Sequence, residues 1–345
     1  MKIALDVMGG DYAPEVTVAG AVQAAREFNL AIALVGQEEV VRRELAKHDT
    51  AGLDLTVVHA DQVVDMHDKP SEVVRSKPNS AMHVGMDLVR NGQADAFATI
   101  GNTGAAMAIA LFKLGRIKLD GQRRIYRPAL ATPFPTRQGA CLLLDVGANT
   151  DWRPVYLQQF AVMGAIYAEN VMGLANPRVG LVSIGEEEGK GNEAVREAYN
   201  LIKATPGLNF VGNVEGKDLP AGLADVVVTD GFTGNVMIKL AEGVAKLIAD
   251  TLRAEITSRK LATVGAALAR PALRAVGARL DYAEYGGAVL LGLNHVCVIG
   301  HGRSNARAVR STIRAARDAV AADVVGKIRQ GLAQRPAMLD VGAEE

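Results

Sequence analysis

Short apolar runs alternate with longer amphipathic segments along almost the whole chain, and this alternation constrains the fold most strongly. Eight runs have the character of strands, at 3–7, 32–35, 55–59, 96–100, 140–145, 179–184, 226–229 and 296–299. Segments with helical periodicity lie between them, among them 14–28, 80–91, 154–172 and 234–252. Continuously apolar strands separated by helices are typical of a parallel sheet covered on both faces. The pattern therefore predicts an α/β fold with a mainly parallel sheet.

The length of the chain allows a sizeable core. At 345 residues, 49% of them apolar, we expect one large α/β unit over 1–335 and a carboxyl-terminal tail over 336–345. A division into two subdomains near Arg137 stays open. Because only 4% of the residues are aromatic, the core is expected to be aliphatic.

Charge and cysteine content exclude several classes of protein. Lys plus Arg and Asp plus Glu both total 38, so the chain lacks the basic excess of a nucleic-acid-binding protein. Cys141 and Cys297 lie in apolar runs and are expected to be buried, with no disulfide framework or zinc site. The first apolar stretch is too short for a signal peptide, and Gly101 and Gly104 interrupt the uncharged run 96–112. We expect a soluble, cytoplasmic protein.

One segment, 256–280, departs from the alternation. It has no acidic residue and five cations, and its apolar residues are spaced three and four apart. Pro271 suits the first turn of a second helix. The segment is predicted to form a basic, amphipathic helical hairpin that binds a membrane surface or packs at a dimer interface. Its apolar stripes contain Leu261, Val264, Leu268, Leu273, Val276 and Leu280.

Glycine and small polar residues follow six of the predicted strands. In open α/β sheets, ligands bind beyond the carboxyl ends of the strands. Glycines and helix N-termini present backbone N–H groups to anions. Each loop alone is ordinary turn chemistry, but six loops at one sheet edge favour a phosphate cradle. The candidate binding residues are Gly101, Asn102, Thr103, Gly104, Asp145, Asn149, Gly191, Asp230, Thr233, Asn235, Ser304 and Asn305.

Lys190, Asn192 and His301 are the candidate catalytic residues. Lys190 lies between two glycines, which favours contact with a bound anion over a solvated surface position. For His301, also between glycines, a catalytic role and a turn histidine stay equally open. The carboxylates of Asp145, Asp151 and Asp230 suit metal ligands or, as we favour, turns and helix caps, and no metal site is predicted.

Familiar catalytic and nucleotide-binding motifs are missing. No GxGxxG follows the first strand, and Lys190 is followed by Gly191 and Asn192 rather than by the Ser or Thr of a P-loop. There is also no G-x-S-x-G nucleophile elbow. The sequence therefore predicts neither a nucleotide cofactor nor a covalent acyl-enzyme.

These loops, in this order, resemble the bacterial phosphate acyltransferase family of phospholipid synthesis (acyl-ACP:phosphate acyltransferase). The resemblance covers the chain to about residue 328 and rests on the stretches IALDVMGGDYAPE, GNTGAAMAIALFKLGRI, RPALATPFPT, LLLDVGANTD, PRVGLVSIGEEEGKGNE, GNVEGKDL, ADVVVTDGFTGNV, EYGGAVLLGL and GHGRSNARAV. It implies a three-layer α/β/α sandwich similar to phosphotransacetylases and isocitrate-type dehydrogenases. It also implies a homodimer that needs no cofactor.

The resemblance implies transfer of a fatty acyl chain from acyl carrier protein to inorganic phosphate, giving acyl phosphate for a membrane glycerol-3-phosphate acyltransferase. Phosphate is an anionic nucleophile already, so holding it beside the thioester and stabilising the oxyanion would suffice. Lys190 would hold phosphate, and His301 would protonate the departing thiol. We expect a protein at the inner face of the cell membrane, bound there peripherally by its hairpin.

The same resemblance suggests a partner for a stripe of arginines on the last long predicted helix. Arg307, Arg310, Arg314 and Arg317 are spaced three, four and three apart, which is typical of a solvated face. An acidic acyl carrier protein would favour docking on Arg310, Arg314 and Arg317.

Two departures from the family pattern bear on contacts with the substrate or with a partner protein. The segment from Lys118 to Arg127 is longer and adds Arg123 and Arg124, and Arg303 stands in place of a small polar residue.

Two other classes of function stay open. One is an NAD-dependent decarboxylating dehydrogenase on a related fold, which would need a carboxylate cluster for a divalent metal. The other is a peripheral membrane scaffold built around the hairpin, which would leave the strand-end loops without a purpose.

Overall fold

The computed structural model describes residues 1–119, 124–280 and 286–335, with the side chains of 278–280 outside that description. Arg123 and the predicted tail 336–345 therefore lie outside the described residues. All eight predicted strands are present, together with three more, β5, β8 and β10. In chain order the strands are β1 (Lys2–Asp6), β2 (Ala31–Gly36), β3 (Leu55–His59), β4 (Ala96–Thr99), β5 (Ala129–Thr136), β6 (Gly139–Leu144), β7 (Val179–Val182), β8 (Phe210–Val214), β9 (Val226–Val228), β10 (Ala288–Leu291) and β11 (Val296–Ile299).

Helices fill most of the connections between the strands. They are α1 (Glu15–Phe28), α2 (Glu38–Leu45), α3 (Pro70–Ser76), α4 (Ala81–Arg90), α5 (Thr103–Lys113), α6 (Pro154–Asn170), α7 (Glu193–Lys203), α8 (Asp218–Ala221), α9 (Gly231–Thr257), α10 (Lys260–Leu268), α11 (Arg270–Leu280), α12 (Ala306–Ala321) and α13 (Val324–Ala333).

The strands form a single sheet in the order β3-β2-β1-β4-β11-β10-β5-β6-β9-β7-β8. The first five are mutually parallel, and so are the last four. Between these two parallel blocks, three neighbouring pairs are antiparallel: β11 with β10, β10 with β5, and β5 with β6. Three successive reversals leave the two blocks running in opposite directions. Arg137, the expected boundary, lies in the turn between β5 and β6.

Alternate residues of each strand enter two apolar layers, as the period of a strand requires. Ile3 and Leu5 of β1 join the layer beneath α1, α6, α12 and α13, whereas Ala4 joins the layer beneath α4 and α5. Phe97 and Phe160 are the two aromatic members of the largest fully buried side chains, and the rest are aliphatic or Met. The predicted three-layer sandwich with a mainly parallel sheet is therefore confirmed.

Helix α9 is longer than predicted and carries the helical hairpin away from the sheet. Its buried residues, Gly231 and Gly234, lie in its first turn, and α10 has none. Leu261 and Leu268 of α10 are 89% and 82% exposed. No helix in the described residues combines the length and the apolar character needed to cross a bilayer.

Candidate active site

The strand-end loops form two clusters rather than one. Because the two parallel blocks run in opposite directions, the loops after β1, β4 and β11 lie at one sheet edge and those after β6, β7 and β9 lie at the other. The expectation of six loops at a single edge is wrong. We call residues 9–11, 101–104 and 300–305 the first loop cluster, and residues 145–151, 185–192 and 230–235 the second.

The first loop cluster is held by close backbone contacts. The Asp11 amide donates to the Gly302 carbonyl at 2.8 Å, and the Gly300 amide donates to Thr99 at 2.7 Å. A Cβ on Gly9 would lie 2.8 Å from the Gly101 Cα, so only glycine allows these two loops to approach. Backbone amides and small residues dominate this surface, which suits close approach of an anion.

A buried carboxylate lies beneath the first loop cluster. Asp6, at the end of β1, is 2% exposed and accepts hydrogen bonds from the Thr99 hydroxyl at 2.8 Å and the Met8 amide at 3.0 Å. Burial raises the pKa of Asp6 to about 6, although these hydrogen bonds oppose the rise. Sequence reasoning missed Asp6, whose one signal is an acid that ends an apolar strand.

Asp145 is the centre of the second loop cluster. Its carboxylate is fully buried and accepts hydrogen bonds from the amides of Leu130, Gly147, Ala148 and Asn149 and from the Asn149 side chain, at 2.7 to 3.2 Å. The Asn149 side chain also donates to the Pro128 carbonyl. Burial raises the pKa of Asp145, and the hydrogen bonds oppose that rise. Both carboxylate oxygens are thus used to shape the loop.

Four candidate site residues, three of binding and one of catalysis, are helix N-caps, whose side chains each accept a hydrogen bond from a backbone amide three residues on. Asp230 also accepts from the Thr233 hydroxyl at 2.7 Å. These side chains hold the helix ends. The first amide of α9, that of Gly231, is also engaged, because it donates to the Asn149 carbonyl at 2.8 Å. At the starts of the other three helices the backbone amides are candidate donors for an anion. The caps are Asn102 for α5, Asn192 for α7, Asp230 for α9 and Asn305 for α12.

Asn102 also anchors a neighbouring segment to the first loop cluster. Its side-chain amide donates to the carbonyls of Asp65, Met66 and Asp68 at 3.0 to 3.3 Å. Lys77 holds the same segment, since its ammonium binds Asp68 at 2.5 Å. The Asn102 side chain is therefore fully engaged, while Thr103, the first residue of α5, is exposed.

Lys190 is an exposed cation in the second loop cluster. Its backbone amide donates to the Glu187 carbonyl at 3.0 Å, and in the described part of the chain its ammonium forms no ion pair. Gly191 follows with a φ of +97°, a conformation that side-chain-bearing residues rarely adopt. This turn allows the Lys190 side chain to meet an anion near the start of α7.

His301 connects the two loop clusters through α9. Its Nε2 lies 2.9 Å from the Glu242 Oε1, and both side chains are partly exposed. Helix α9 begins in the second loop cluster, and the eleven residue-to-residue steps from Gly231 to Glu242 span about 16 Å along its axis. The His301 hydrogen bond lowers the pKa of Glu242, which keeps a carboxylate beside the imidazole. No sequence pattern pointed to Glu242.

The remaining candidate residues differ in accessibility. Ser304 is buried, and its amide donates to the His301 carbonyl at 3.0 Å. Gly104 faces α3, where a Cβ would lie 2.6 Å from Pro70. Asn235 is exposed beside Gly147, and the Arg303 side chain is 86% exposed.

Arginines of the stripe on α12 are engaged within the fold. Arg310 is 19% exposed and lies 2.8 Å from Glu27 of α1. The Arg317 guanidinium lies 4.5 Å from the centre of the Phe28 ring and pairs with Asp318. These contacts join α12 to α1, and they leave little of Arg310 for the predicted docking of an acidic partner.

A cavity of about 200 Å³ lies between α5 and the loop after β6. Met107 and Leu111 of α5 form part of its wall with Pro128 and Ala148. Its polar wall contains Arg127, Asn149, Thr150 and Asp151. The cavity thus offers both apolar and polar surface next to the second loop cluster.

Within the described residues, one trio of carboxylates lies close enough to share a cation: Glu186, Glu215 and Asp218. The Lys217 ammonium contacts all three. A lysine therefore already compensates this acidic charge, and none of the three was a predicted site residue.

Comparison with known proteins identifies relatives over nearly the full chain. The model of the family described as "Fatty acid synthesis protein" matches residues 1–327. A phosphate acyltransferase of Geobacter sp. (strain M21) is 50% identical over 332 residues, which is 96% of this chain and 93% of that protein. A phosphate acyltransferase of Pelotomaculum thermopropionicum is 49% identical over the same length, 96% of this chain and 95% of the relative.

Solved structures share the fold at much lower identity. A phosphotransacetylase from Streptococcus pyogenes has a TM-score of 0.63 at 19% identity, over 94% of both chains. A branched-chain phosphotransacylase from Enterococcus faecalis has a TM-score of 0.56 at 15% identity, over 93% of this chain and 99% of that one. A 4-hydroxythreonine-4-phosphate dehydrogenase from Klebsiella pneumoniae has a TM-score of 0.55 at 13% identity, over 93% and 99%. Acyltransferases and a dehydrogenase thus share this fold, so the fold alone does not distinguish an acyltransferase from a dehydrogenase.

Proposed function

This chain belongs to the fatty acid synthesis protein family, in which its relatives at about 50% identity are phosphate acyltransferases, and from that membership we propose that it transfers a fatty acyl chain from acyl carrier protein to inorganic phosphate. The products are acyl phosphate and the free thiol of the carrier. The observation that carries the proposal is the 50% identity over 96% of the chain.

The reaction balances without a covalent enzyme intermediate. An oxygen of phosphate forms a bond to the thioester carbonyl carbon, the carbon–sulfur bond breaks, and the sulfur takes a proton. The enzyme contributes position and charge, which are the main means of catalysis when the nucleophile is already ionised. Amides at the starts of α5, α7 and α12 support this assignment because the N-terminal amides of a helix are donors for an anion.

Two side chains have assigned roles in that mechanism. The ammonium of Lys190 binds phosphate and stabilises the negative charge of the transition state. The imidazole of His301 gives a proton to the departing sulfur, and Glu242 orients it at 2.9 Å. Lys190 is exposed in the second loop cluster and His301 is partly exposed in the first, so these roles require one acyl thioester to reach both clusters.

The alternative dehydrogenase needs carboxylates that can hold a divalent metal. Asp145 and Asp230 accept hydrogen bonds from their own loops, and Lys217 compensates the acidic trio. No observation in the described residues favours that alternative, so it is not proposed.

We propose two further surfaces on the protruding part of the molecule. Leu240, Leu247 and Ile248 are each more than 60% exposed on α9, and a second copy of the chain is the occupant that would cover them in a homodimer. The hairpin beyond α9 presents apolar stripes with Leu261, Leu268 and Val276, together with cations that suit an anionic membrane. Release of acyl phosphate at the inner face of the membrane would deliver it to a membrane glycerol-3-phosphate acyltransferase.

The proposed reaction is tested by measuring free thiol after mixing the protein with acyl-carrier protein. Thiol release is expected only when inorganic phosphate is present, in amounts equal to the acyl phosphate formed. Release at the same rate without phosphate would make the protein a thioesterase and would overturn the proposal. The matched control is the carrier alone under both conditions.

A further inference from the structure

The turn that carries the proposed phosphate-binding lysine follows β7, and we call its residues, 185–190, the lysine turn. Two glutamates tie this turn to the surface: Glu186 pairs with Lys217 at 3.4 Å, and Glu188 pairs with Lys203 at 2.6 Å. All four side chains are more than half exposed. Exposed ion pairs contribute little free energy, so these two fix the position of the turn only weakly.

A buried side chain of β8 holds the lysine turn from within the fold. Asn213 is 4% exposed, and its side-chain amide donates a hydrogen bond to the Glu187 carbonyl at 2.7 Å. The same carbonyl accepts a hydrogen bond from the backbone amide of Lys190 at 3.0 Å. One oxygen atom therefore joins the Asn213 side chain to the Lys190 backbone.

The aliphatic stem of Lys190 lies against the first residue of the lysine turn. A Cβ on Gly185 would lie 3.0 Å from the Lys190 Cγ and 3.3 Å from its Cδ, so glycine leaves room for the stem. A lysine can pack its stem in this way while its ammonium stays in water. The direction of the ammonium therefore depends on the turn keeping its conformation.

The other polar atom of the Asn213 side chain does not stabilise the fold. Within the part of the chain that the structure describes, its Oδ1 is buried and has no hydrogen-bond donor. A buried acceptor without a donor costs free energy, which an apolar side chain of similar size would avoid. Asn213 pairs with Leu181 of β7 in the sheet, a position that suits such a side chain. The hydrogen bond to the lysine turn therefore explains an amide at this position better than stability does.

We infer that Asn213 is a positioning residue for the proposed reaction: it holds the Glu187 carbonyl, which in turn holds the backbone of Lys190. The inference rests on the proposed function, in which the Lys190 ammonium binds inorganic phosphate. Asn213 itself touches no reactant. A charge that stabilises a transition state must be in place beforehand, since a displacement of about 1 Å can cost about 100-fold in rate.

The test is a double-mutant cycle on kcat/KM for inorganic phosphate, measured as thiol release from acyl-carrier protein. The proteins are the wild type, Asn213→Leu, Lys190→Ala and the double variant. We expect Asn213→Leu to lower kcat/KM about tenfold in the wild-type background and less than about twofold in the Lys190→Ala background. Changes that act through one residue are not additive, whereas independent changes are.

Stability separates a positioning role from a structural one. Asn213→Leu removes the unpaired Oδ1, and the Glu187 carbonyl keeps the Lys190 amide as its donor. This variant should therefore unfold at a urea concentration no lower than the wild type. If the leucine variant does not fold, Asn213→Ala takes its place in the cycle, with the same expected kinetics.

The matched control is Asn209→Leu, just before the other end of β8. It removes a hydrogen bond of the same type, from the Asn209 side chain to the Asn176 carbonyl at 2.9 Å, and should leave kcat/KM unchanged. An equal loss with this control would assign the effect to β8 as a whole. A tenfold loss that persists in the Lys190→Ala background would show that Asn213 does not act through Lys190, and an unchanged wild-type background would show no role at all.

Binding of inorganic phosphate separates this inference from the proposed function. Its equilibrium Kd is measured by isothermal titration calorimetry without acyl-carrier protein, so no turnover is needed. A wild type that transfers no acyl group but binds phosphate about tenfold more tightly than Asn213→Leu would refute the proposed reaction and support the positioning role. Equal phosphate affinities in the two proteins would refute that role whatever the activity.

Discussion

Replacing Asp145 with alanine removes the acceptor that organises the second loop cluster. Five donors point to this carboxylate, and three of those hydrogen bonds are buried: from the Leu130 amide and from the backbone and side-chain nitrogens of Asn149. The Asn149 side chain keeps its hydrogen bond to the Pro128 carbonyl at 2.8 Å. The Leu130 and Asn149 amides are the two buried donors that would lose their acceptor.

The size of the effect follows from these two donors. A buried donor left without an acceptor costs about 1–3 kcal/mol, so Asp145→Ala is expected to lower the free energy of unfolding by about 4 kcal/mol. Asp145→Asn keeps an oxygen for the Leu130 amide but presents an NH₂ group to the Asn149 amide. It is therefore expected to lose about half as much.

The measurement is equilibrium urea denaturation followed by the fluorescence of Trp152, the single tryptophan, which lies next to this loop in the sequence. Asp151→Ala is the matched control, since this neighbouring acid is exposed, and it should change the free energy by less than about 0.5 kcal/mol. The reasoning is refuted if Asp145→Ala unfolds at the same urea concentration as the Asp151→Ala control.

Three other predictions concern separate parts of the molecule. Because the pKa of Asp6 rises from 3.8 to about 6 on folding, its contribution to stability falls by about 3 kcal/mol as the pH rises from 4 to 6. The free energy of unfolding of Asp6→Asn, measured with urea over this range, should lack that fall, and a variant with the same pH dependence as the wild type would contradict the argument. Lys190→Ala should lower kcat about 100-fold or more while the circular dichroism spectrum is unchanged. An unaltered kcat would show that Lys190 is a solvated surface residue with no part in catalysis. Leu268→Glu should abolish flotation with anionic liposomes without changing the oligomeric state or the activity, whereas undiminished flotation would rule out membrane binding by the hairpin.

The sequence was sufficient to predict the strands that repeat an apolar pattern, but not the reversal of the sheet. That reversal depends on β5 and β10. Pro133 and Pro135 of β5 argue against a strand because proline cannot donate to the ladder. Residues 129–131 pair with β10 and residues 131–136 pair with β6, so the proline-containing half has β6 alone as its partner. Since proline is tolerated where one side of a strand is unpaired, the prolines fit this position, which only the assembled sheet reveals.

Local chemistry limits how much of the candidate site can be predicted. Asn102, Asn192 and Asp230 follow strands and precede helices, where the same side-chain oxygen serves as an N-cap or as a ligand group. The structure shows that their oxygens cap α5, α7 and α9. Glu242 meets His301 only because α9 extends between the two loop clusters. No short-range pattern contains that contact.

The most direct test of the proposed reaction is the fate of the phosphate oxygens in a single turnover. Acyl-carrier protein is mixed with an excess of the enzyme and with phosphate that carries ¹⁸O at all four oxygens. The mass of the acyl phosphate formed is then measured by mass spectrometry. Attack of phosphate on the thioester predicts a product that retains all four labelled oxygens, one of them as the bridge to the acyl group. A product with three labelled oxygens would mean that an acyl oxygen attacked phosphorus, and it would contradict the proposed mechanism.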